Sequence, residues 1–257
     1  MAAMEIDALF ARTLEGDYDG DEPWEAVHSL RRIGTLEVFE HAASWIKSSQ
    51  PLERARGLDV IAQLGRTADH PANSFPQQSY ELVSRALDEE REFLPRCSAI
   101  AALGHLDDPR AVPLIAPFHS DPSAEIRYIV ACALGSFPND PLSIKTLTAM
   151  TEDADEDVRD WATFGVGVLG DGDSPELRDS LFRRLSDSYL EAREEAIVGL
   201  AKRHDVRVLP VLIDLLSRPR VGVRPVEAAC LLLGIDDEPK EWSEEDYADA
   251  LRQRFGL

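Results

Sequence analysis

An arginine followed eight residues later by a glycine recurs along this chain of 257 residues, and this repeat constrains the fold more than any other feature. Arg127 leads to Gly135 and Arg159 leads to Gly167, and the residues between them are mainly apolar. Related segments begin at Arg96, Arg193 and Arg224. Because successive segments lie about 32 residues apart, the pattern is typical of a protein built from stacked repeats.

Each arginine segment is followed by a turn and a second apolar run. Asp140-Pro141 and Ser174-Pro175 have the pattern of a helix N-cap with proline at the first helical position. Ile144, Leu147 and Met150 then recur with the period of a helix, and no segment alternates with the period of a strand. The sequence therefore predicts helix–turn–helix units and an all-α fold.

The units are expected to stack into one domain over residues 1–257, because a single helical pair cannot bury its apolar face alone. Ile6, Leu9, Phe10 and Leu14 have helical spacing, so residues 1–22 are predicted to cover the first unit. Residues 66–76 are polar and turn-rich and predict an inserted loop, and residues 246–251 are predicted to cap the last unit. The seven predicted units begin near Pro23, Pro51, Glu90, Asp121, Asp155, Leu190 and Val221.

The repeated motif Val/Ile-Arg-x-x-Ala/Val-Ala-x-Ala-Leu-Gly resembles HEAT-like repeats of the phycobilisome-lyase type over residues 23–257. We therefore expect an α-solenoid of about seven HEAT-like helical hairpins that form a right-handed superhelix. Residues 157–164 and 191–200 also resemble bacterial HEAT-repeat proteins encoded beside Rhs polymorphic toxins. That second resemblance implies an immunity protein that blocks a cognate secreted toxin in the bacterial cytoplasm.

The charge balance limits the partners. The net charge is −21, with 27 basic and 48 acidic side chains, which argues against nucleic acid and against an anionic membrane surface. The acidic start does not fit a secretory signal, and no apolar run reaches the roughly 18 residues of a membrane span. The three cysteines are far apart in apolar segments, which is typical of buried thiols in a reducing compartment. We therefore expect a cytoplasmic protein.

The sequence offers no catalytic, cofactor-binding or metal-ligating residue. None of the six histidines precedes a glutamate, so the His-Glu pairs of di-iron hydroxylases with HEAT-like repeats are absent. His105-x-Asp107 and His119-x-Asp121 fall at predicted turns, where capping and solvation account for them. Asp17-x-Asp19-x-Asp21 resembles the start of a calcium loop, but the sixth position is not glycine and the twelfth is His28. We expect neither a cofactor nor enzymatic activity.

The acidic residues cluster at 1–25, 152–160 and 236–249, whereas residues 202–224 are basic. Such clusters are compatible with an ordinary solvated surface, or with an acidic ridge along aligned turns that attracts a basic partner. Trp161 takes the position of Ile129 in the preceding unit, which favours core packing over partner contact, and Trp45 fits either role. The candidate partner-binding residues are Asp121, Glu152, Asp153, Asp155, Glu156, Asp157, Trp161 and Asp187.

These observations favour a monomeric, non-enzymatic protein that binds a basic protein partner, such as a toxin domain, through a curved acidic surface. The alternatives are an enzyme or chaperone of the bilin-lyase type and a general scaffold. We expect charge reversal at Asp153, Asp155 and Asp157 to slow partner association and to leave stability nearly unchanged.

Overall fold

The computed structural model describes residues 3–218, 222–236 and 242–257, and within these ranges it contains helices and no strand. The all-α prediction is confirmed. The fifteen α-helices of the described residues are α1 (Ala3–Arg12), α2 (Asp21–Ile33), α3 (Leu36–Trp45), α4 (Pro51–Ala62), α5 (Pro76–Glu89), α6 (Phe93–His105), α7 (Val112–Ile115), α8 (Ala124–Gly135), α9 (Pro141–Met150), α10 (Glu156–Phe164), α11 (Pro175–Arg184), α12 (Leu190–Lys202), α13 (Leu209–Leu216), α14 (Val223–Leu233) and α15 (Glu244–Phe255). Short 3-10 helices cover Pro109–Ala111, Ala116–Ser120 and Val206–Val208, and a π-helical segment covers Gly165–Leu169.

The chain divides into two compact units, Met1–Phe118 and His119–Leu257. In the first unit α2 packs on α4 and α4 packs on α6, while α3 and α5 pack on α4 and α6 as the other halves of hairpins. None of the described helices combines the length and the apolar character that a membrane crossing needs. The prediction of a single domain over residues 1–257 stays a prediction, as do the handedness and the number of repeats.

In the second unit the helices of the arginine segments stack on one another. Helix α8 packs on α10, α10 on α12 and α12 on α14, and we call these four helices the even-helix layer. Helices α9, α11 and α13 pack against members of this layer, and α15 covers α13 and α14. The apolar residues of the repeated motif form the core, for example Val130, Leu134, Val158, Ala162, Ile197 and Leu200.

The predicted caps and loop are confirmed. Asp140 and Ser174 each precede a helix that starts with proline, and each side chain accepts hydrogen bonds from backbone N–H groups of the first turn. The predicted insertion lies between α4 and α5, where Asn73 donates to the carbonyl of Ile61 and accepts from the N–H of Phe75. These bonds hold the long connection against the helices that it joins.

The N-terminal segment covers the first unit as predicted. Ile6 and Phe10 of α1 are buried, and the Phe10 ring lies 4.9 Å from the ring of Trp45. Of the two roles expected for Trp45, core packing or partner contact, the structure shows packing against Phe10. Buried Arg56 on α4 donates to the carbonyls of Thr13 and Tyr18, which fastens the segment after α1 to the helix layer.

A close glycine contact fixes the spacing of α12 and the π-helical segment after α10. A Cβ atom on Gly199 would lie only 2.8 Å from the Cα of Gly167. Arg203, just after α12, is buried and donates five hydrogen bonds to backbone carbonyls at the same place. Its acceptors are Val166, Gly167, Gly170, Gly172 and Gly199. The guanidinium supplies donors that the irregular turn lacks.

One sequence expectation is corrected by the structure, and others concern residues that the structure does not describe. Trp161 is not a core residue, because 38% of its surface is exposed. Several residues of the predicted charge clusters lie outside the described residues, as does the predicted start of the seventh unit; they are Arg220, Val221, Asp237, Glu238, Lys240 and Glu241.

Candidate functional site

Two of the repeated arginines, Arg127 and Arg159, each form a two-point ion pair with an acid in the next turn. Nε and Nη2 of Arg127 lie 2.7 and 2.8 Å from the carboxylate oxygens of Asp153. Arg159 pairs with Asp187 in the same way, at 2.9 and 3.1 Å. Each arginine also donates from Nη1 to a carbonyl of the turn before its own helix, that of Asp121 for Arg127 and that of Asp153 for Arg159. These contacts form a ladder that ties successive turns together.

The ladder gives three of the predicted partner-binding residues a structural role. The side chains of Asp153 and Asp187 are only 10% and 2% exposed. Burial disfavours ionisation of Asp187, but hydrogen bonds from Arg159 and from the N–H of Tyr189, with the charges of Arg159 and Arg184, lower its pKa to about 2. Asp121 contributes its carbonyl to Arg127, and its carboxylate accepts from the N–H of Ser123.

The expectation that charge reversal at Asp153 leaves stability unchanged is therefore wrong. A lysine there would face Arg127 in a largely buried position and would leave the guanidinium without its carboxylate. The pairing is hard to predict because the two residues are distant along the chain. A comparable pair occurs in the first unit, where Arg54 of α4 binds Glu90 just after α5 through two hydrogen bonds.

The remaining acids of the predicted turn divide into paired and exposed ones. Glu152 pairs with Arg183 at 2.7 Å and with Arg184 at 3.0 Å. Asp155 is the N-cap of α10 and accepts from the N–H groups of Asp157 and Val158. Glu156 and Asp157 lie exposed in the first turn of α10. Of the predicted set, Glu156, Asp157 and Trp161 are thus the residues most open to a partner.

Trp161 belongs to an aromatic row on the even-helix layer. Its ring lies edge-on to Tyr128 of α8 at 6.0 Å and edge-on to Phe164 of α10 at 5.8 Å. Beside this row, Glu125, Tyr128, Asp155 and Asp157 line a groove of about 280 Å³ between α8 and α10. Trp161 is exposed, and Tyr128 and Phe164 are half-buried. Aromatic side chains at the surface beside a polar groove are a common feature of protein-binding surfaces.

Acidic residues surround the aromatic row at equivalent positions of successive helices. Glu125, Asp157 and Glu191 are exposed in the first turns of α8, α10 and α12. Asp160 of α10 and Glu194 and Glu195 of α12 lie half-buried further along the same face. Among the described residues, no lysine or arginine forms an ion pair with Glu125, Asp157, Asp160 or Glu191, in contrast to the ladder acids. We call these six acids with Tyr128, Trp161 and Phe164 the acidic–aromatic face.

The half-buried carboxyls of this face are poorly compensated. Burial, with the charges of Glu191, Asp157 and Asp187, raises the pKa of Asp160 to about 6. Burial raises the pKa of Glu195 to about 8; Arg224 opposes the rise, and nearby acids add to it. Oδ1 of Asp160 and Oε2 of Glu195 are covered and accept no hydrogen bond from the described residues. Asp160 and the exposed acids of the face therefore hold negative charge that no ion pair among the described residues neutralises, whereas burial keeps Glu195 mostly protonated at neutral pH.

The repeated motif itself contains a signal for this face, although charge density alone does not reveal it. Tyr128, Asp160 and Glu194 each follow a repeated arginine directly, and Trp161 and Glu195 come one position later. When the arginine points to the ladder, the next residues point along the even-helix layer. Within the described residues, no group of three or more His, Cys, Asp or Glu is placed to hold a metal ion.

Comparison with known proteins finds relatives of this chain among repeat proteins. Residues 80–167 match the family model for HEAT repeats. Over these residues the chain is built of HEAT-like repeats. Protein YibA of Escherichia coli K12 is 38% identical over 109 residues, which are 42% of this chain and 38% of YibA, and YibA of strain O157:H7 gives the same values. The match thus spans well under half the length of these relatives.

Solved structures show the same fold. The crystal structure of E. coli YibA has a TM-score of 0.73 at 22% identity and covers 98% of this chain and 94% of its own. An archaeal HEAT-like repeat protein from Thermococcus onnurineus has a TM-score of 0.58 at 14% identity, covering 92% and 97%. A designed armadillo repeat protein, solved with the peptide (KR)4, has a TM-score of 0.51 at 14% identity, covering 76% and 98%. These likenesses confirm the predicted class, an α-solenoid of HEAT-like hairpins.

Proposed function

We propose that this chain is a non-enzymatic interaction module whose acidic–aromatic face binds a basic segment of a protein partner. The observation that carries the proposal is the contrast between two groups of acids. Asp153 and Asp187 are neutralised by arginines within the fold, whereas Glu125, Asp157, Asp160 and Glu191 are not. Carboxylates without counter-charges attract cations and accelerate the encounter with a basic partner.

The aromatic row provides a surface on which the basic segment can pack. Exposed tryptophan and tyrosine contribute large contact areas at little conformational cost, and lysine and arginine side chains bind favourably over their rings. Trp161 lies beside Asp160 and on the same helix as Asp157, so one basic segment can reach rings and carboxylates together. The designed armadillo protein is solved with a basic peptide, which is a precedent within a similar fold.

The test compares two triple charge reversals with equal changes in net charge. The first is E125K/D157K/E191K on the face, and the control is E37K/E40K/D88K at exposed positions of the first unit. We expect the face variant to slow association with an immobilised (KR)4 peptide roughly tenfold at about 50 mM NaCl, with a smaller effect at higher salt. The control should change the rate much less. Equal slowing by both variants would show that net charge alone attracts the peptide and would reject the face.

We further propose that the natural partner is a secreted toxin domain that this chain neutralises in the cell that makes it. The support is the resemblance of residues 157–164 and 191–200 to HEAT-repeat proteins encoded beside Rhs toxins. Both segments contribute to the acidic–aromatic face, and a basic toxin would complement its charge. Where a toxin domain is encoded beside this chain, co-expression of the chain should restore growth, and co-expression of E125K/D157K/E191K should restore it less. Growth arrest despite abundant folded protein would reject the immunity role.

A further inference from the structure

We infer that the acidic–aromatic face recognises an arginine side chain of its partner, held between the rings of Trp161 and Tyr128 and the carboxylate of Asp160. The inference rests on the proposed function, because it specifies which basic residue the face selects. It predicts a preference for arginine over lysine, which an acidic surface alone does not require.

The fold already places one guanidinium on this face. Arg224 of α14 lies over the ring of Phe164, with 5.8 Å between its Cζ and the ring centroid. Its Nη2 lies 3.6 Å from Oε1 of Glu195, and its Nη1 lies 2.9 Å from Oε2 of Glu227. A guanidinium flanked by a ring of α10 and carboxylates of the next helices is thus a stable arrangement here. Trp161 and Asp160 offer the same combination of a ring and a carboxylate, about one helical turn before Phe164.

No lysine or arginine among the described residues forms an ion pair with Asp160 at the second position. Its Oδ1 is covered and has no hydrogen-bond donor among the described residues. Covered carboxylate oxygens without donors are costly, so a cation that reaches them gains more than one at a solvated acid. The terminal torsion of a carboxylate rotates readily, so either oxygen can turn to the surface. The rings of Tyr128 and Trp161 pack at 87° to each other on the same face.

The chemistry of this position favours arginine over lysine. A guanidinium is planar, stacks on aromatic rings and can direct two parallel N–H groups at the two oxygens of one carboxylate. It is also less strongly hydrated than an ammonium group and loses less on entering a half-buried site. A lysine would keep the charge attraction but would lose the stacking and the paired hydrogen bonds. The difference should therefore depend on Trp161 and on Asp160.

The test measures binding of octa-arginine and octa-lysine, both with blocked ends, at about 150 mM NaCl. The wild-type chain should bind octa-arginine at least roughly fivefold more tightly. W161A and D160N should each weaken octa-arginine binding about five- to tenfold and octa-lysine binding much less, so that the preference largely disappears. W161F retains a ring and should retain most of the preference.

W242A is the matched control, because Trp242 is 40% exposed and also lies edge-on to a tyrosine, Tyr247. It should leave both affinities unchanged, and thermal melts should confirm that every variant is folded. Equal binding of the two peptides by the wild type, or equal losses for both in W161A, would overturn the arginine site. The proposed function would then stand if E125K/D157K/E191K still weakens both peptides. Failure of the wild type to bind either peptide would overturn both proposals.

Discussion

At the scale of single residues, two carboxyls on neighbouring parts of the second unit show how environment decides their role. Asp187 is held by Arg159 and Arg184, and its pKa is lowered to about 2. Glu195 has one long contact to Arg224, and its pKa is raised to about 8. The first residue therefore stabilises the fold in its ionised form, whereas ionisation of the second costs stability that partner binding can recover.

Replacing Glu195 by glutamine should stabilise the protein at neutral and mildly alkaline pH. Because its folded-state pKa lies above its ordinary value of 4.5, the wild-type carboxyl contributes stability at low pH that is lost as pH rises toward about 8. Glutamine does not ionise, so the melting temperature of E195Q should match the wild type near pH 4.5 and exceed it by roughly 2–4 °C at pH 8. Thermal melts across this range measure the difference. An advantage that does not grow with pH would contradict the assignment.

At the scale of helices and turns, the local features were predictable and the distant ones were not. The caps at Asp140 and Ser174 depend on neighbours within three residues, so the sequence pattern contains all that is needed. The structural role of Asp153 depends on its ion pair with Arg127, which lies in the preceding repeated segment. Asp157, in the same acidic stretch, has no such arginine and remains exposed. Charge density along the sequence therefore indicates where the acids lie but does not separate structural acids from exposed ones.

Asp187 connects two turns of the ladder, so a small change at this residue should have a large effect on stability. D187N keeps the size of the side chain but leaves Arg159 and Arg184 without their shared carboxylate in a position that is 2% exposed. The free energy of unfolding at pH 7 should fall by about 2–3 kcal/mol. Asp187 stabilises the fold above the ordinary carboxyl pKa, and this contribution is lost as pH falls toward about 2, so the wild type and D187N should converge there.

D173N is the matched control for the ladder, because Asp173 also forms a short arginine pair, with Arg178, but is 47% exposed. Exposed pairs contribute under about 1 kcal/mol, so this variant should be close to the wild type in a denaturant titration. Equal losses in D187N and D173N would show that the buried ladder contributes no more than an ordinary surface pair.

At the scale of the whole molecule, the net charge of −21 acts on stability and on binding in opposite senses. Arginines neutralise the ladder acids, whereas no ion pair among the described residues neutralises Glu125, Asp157, Asp160 and Glu191 of the acidic–aromatic face. Repulsion among them opposes folding, and the same charges attract a basic partner. Repulsion among the acids of this face thus lowers the stability of the free protein, and binding of a basic partner is expected to relieve it.

Added salt should therefore raise thermal stability while it slows partner association. Increasing NaCl from about 20 to 300 mM shortens the screening length and weakens repulsion between exposed acids, while the largely buried Arg127–Asp153 and Arg159–Asp187 pairs are screened less. We expect the melting temperature to rise by roughly 2–4 °C over this range and to rise less in E125K/D157K/E191K, which carries less negative charge. Over the same range, association with (KR)4 should slow. A melting temperature that falls with salt would show that attractive ion pairs, rather than uncompensated acids, dominate the electrostatics of this chain.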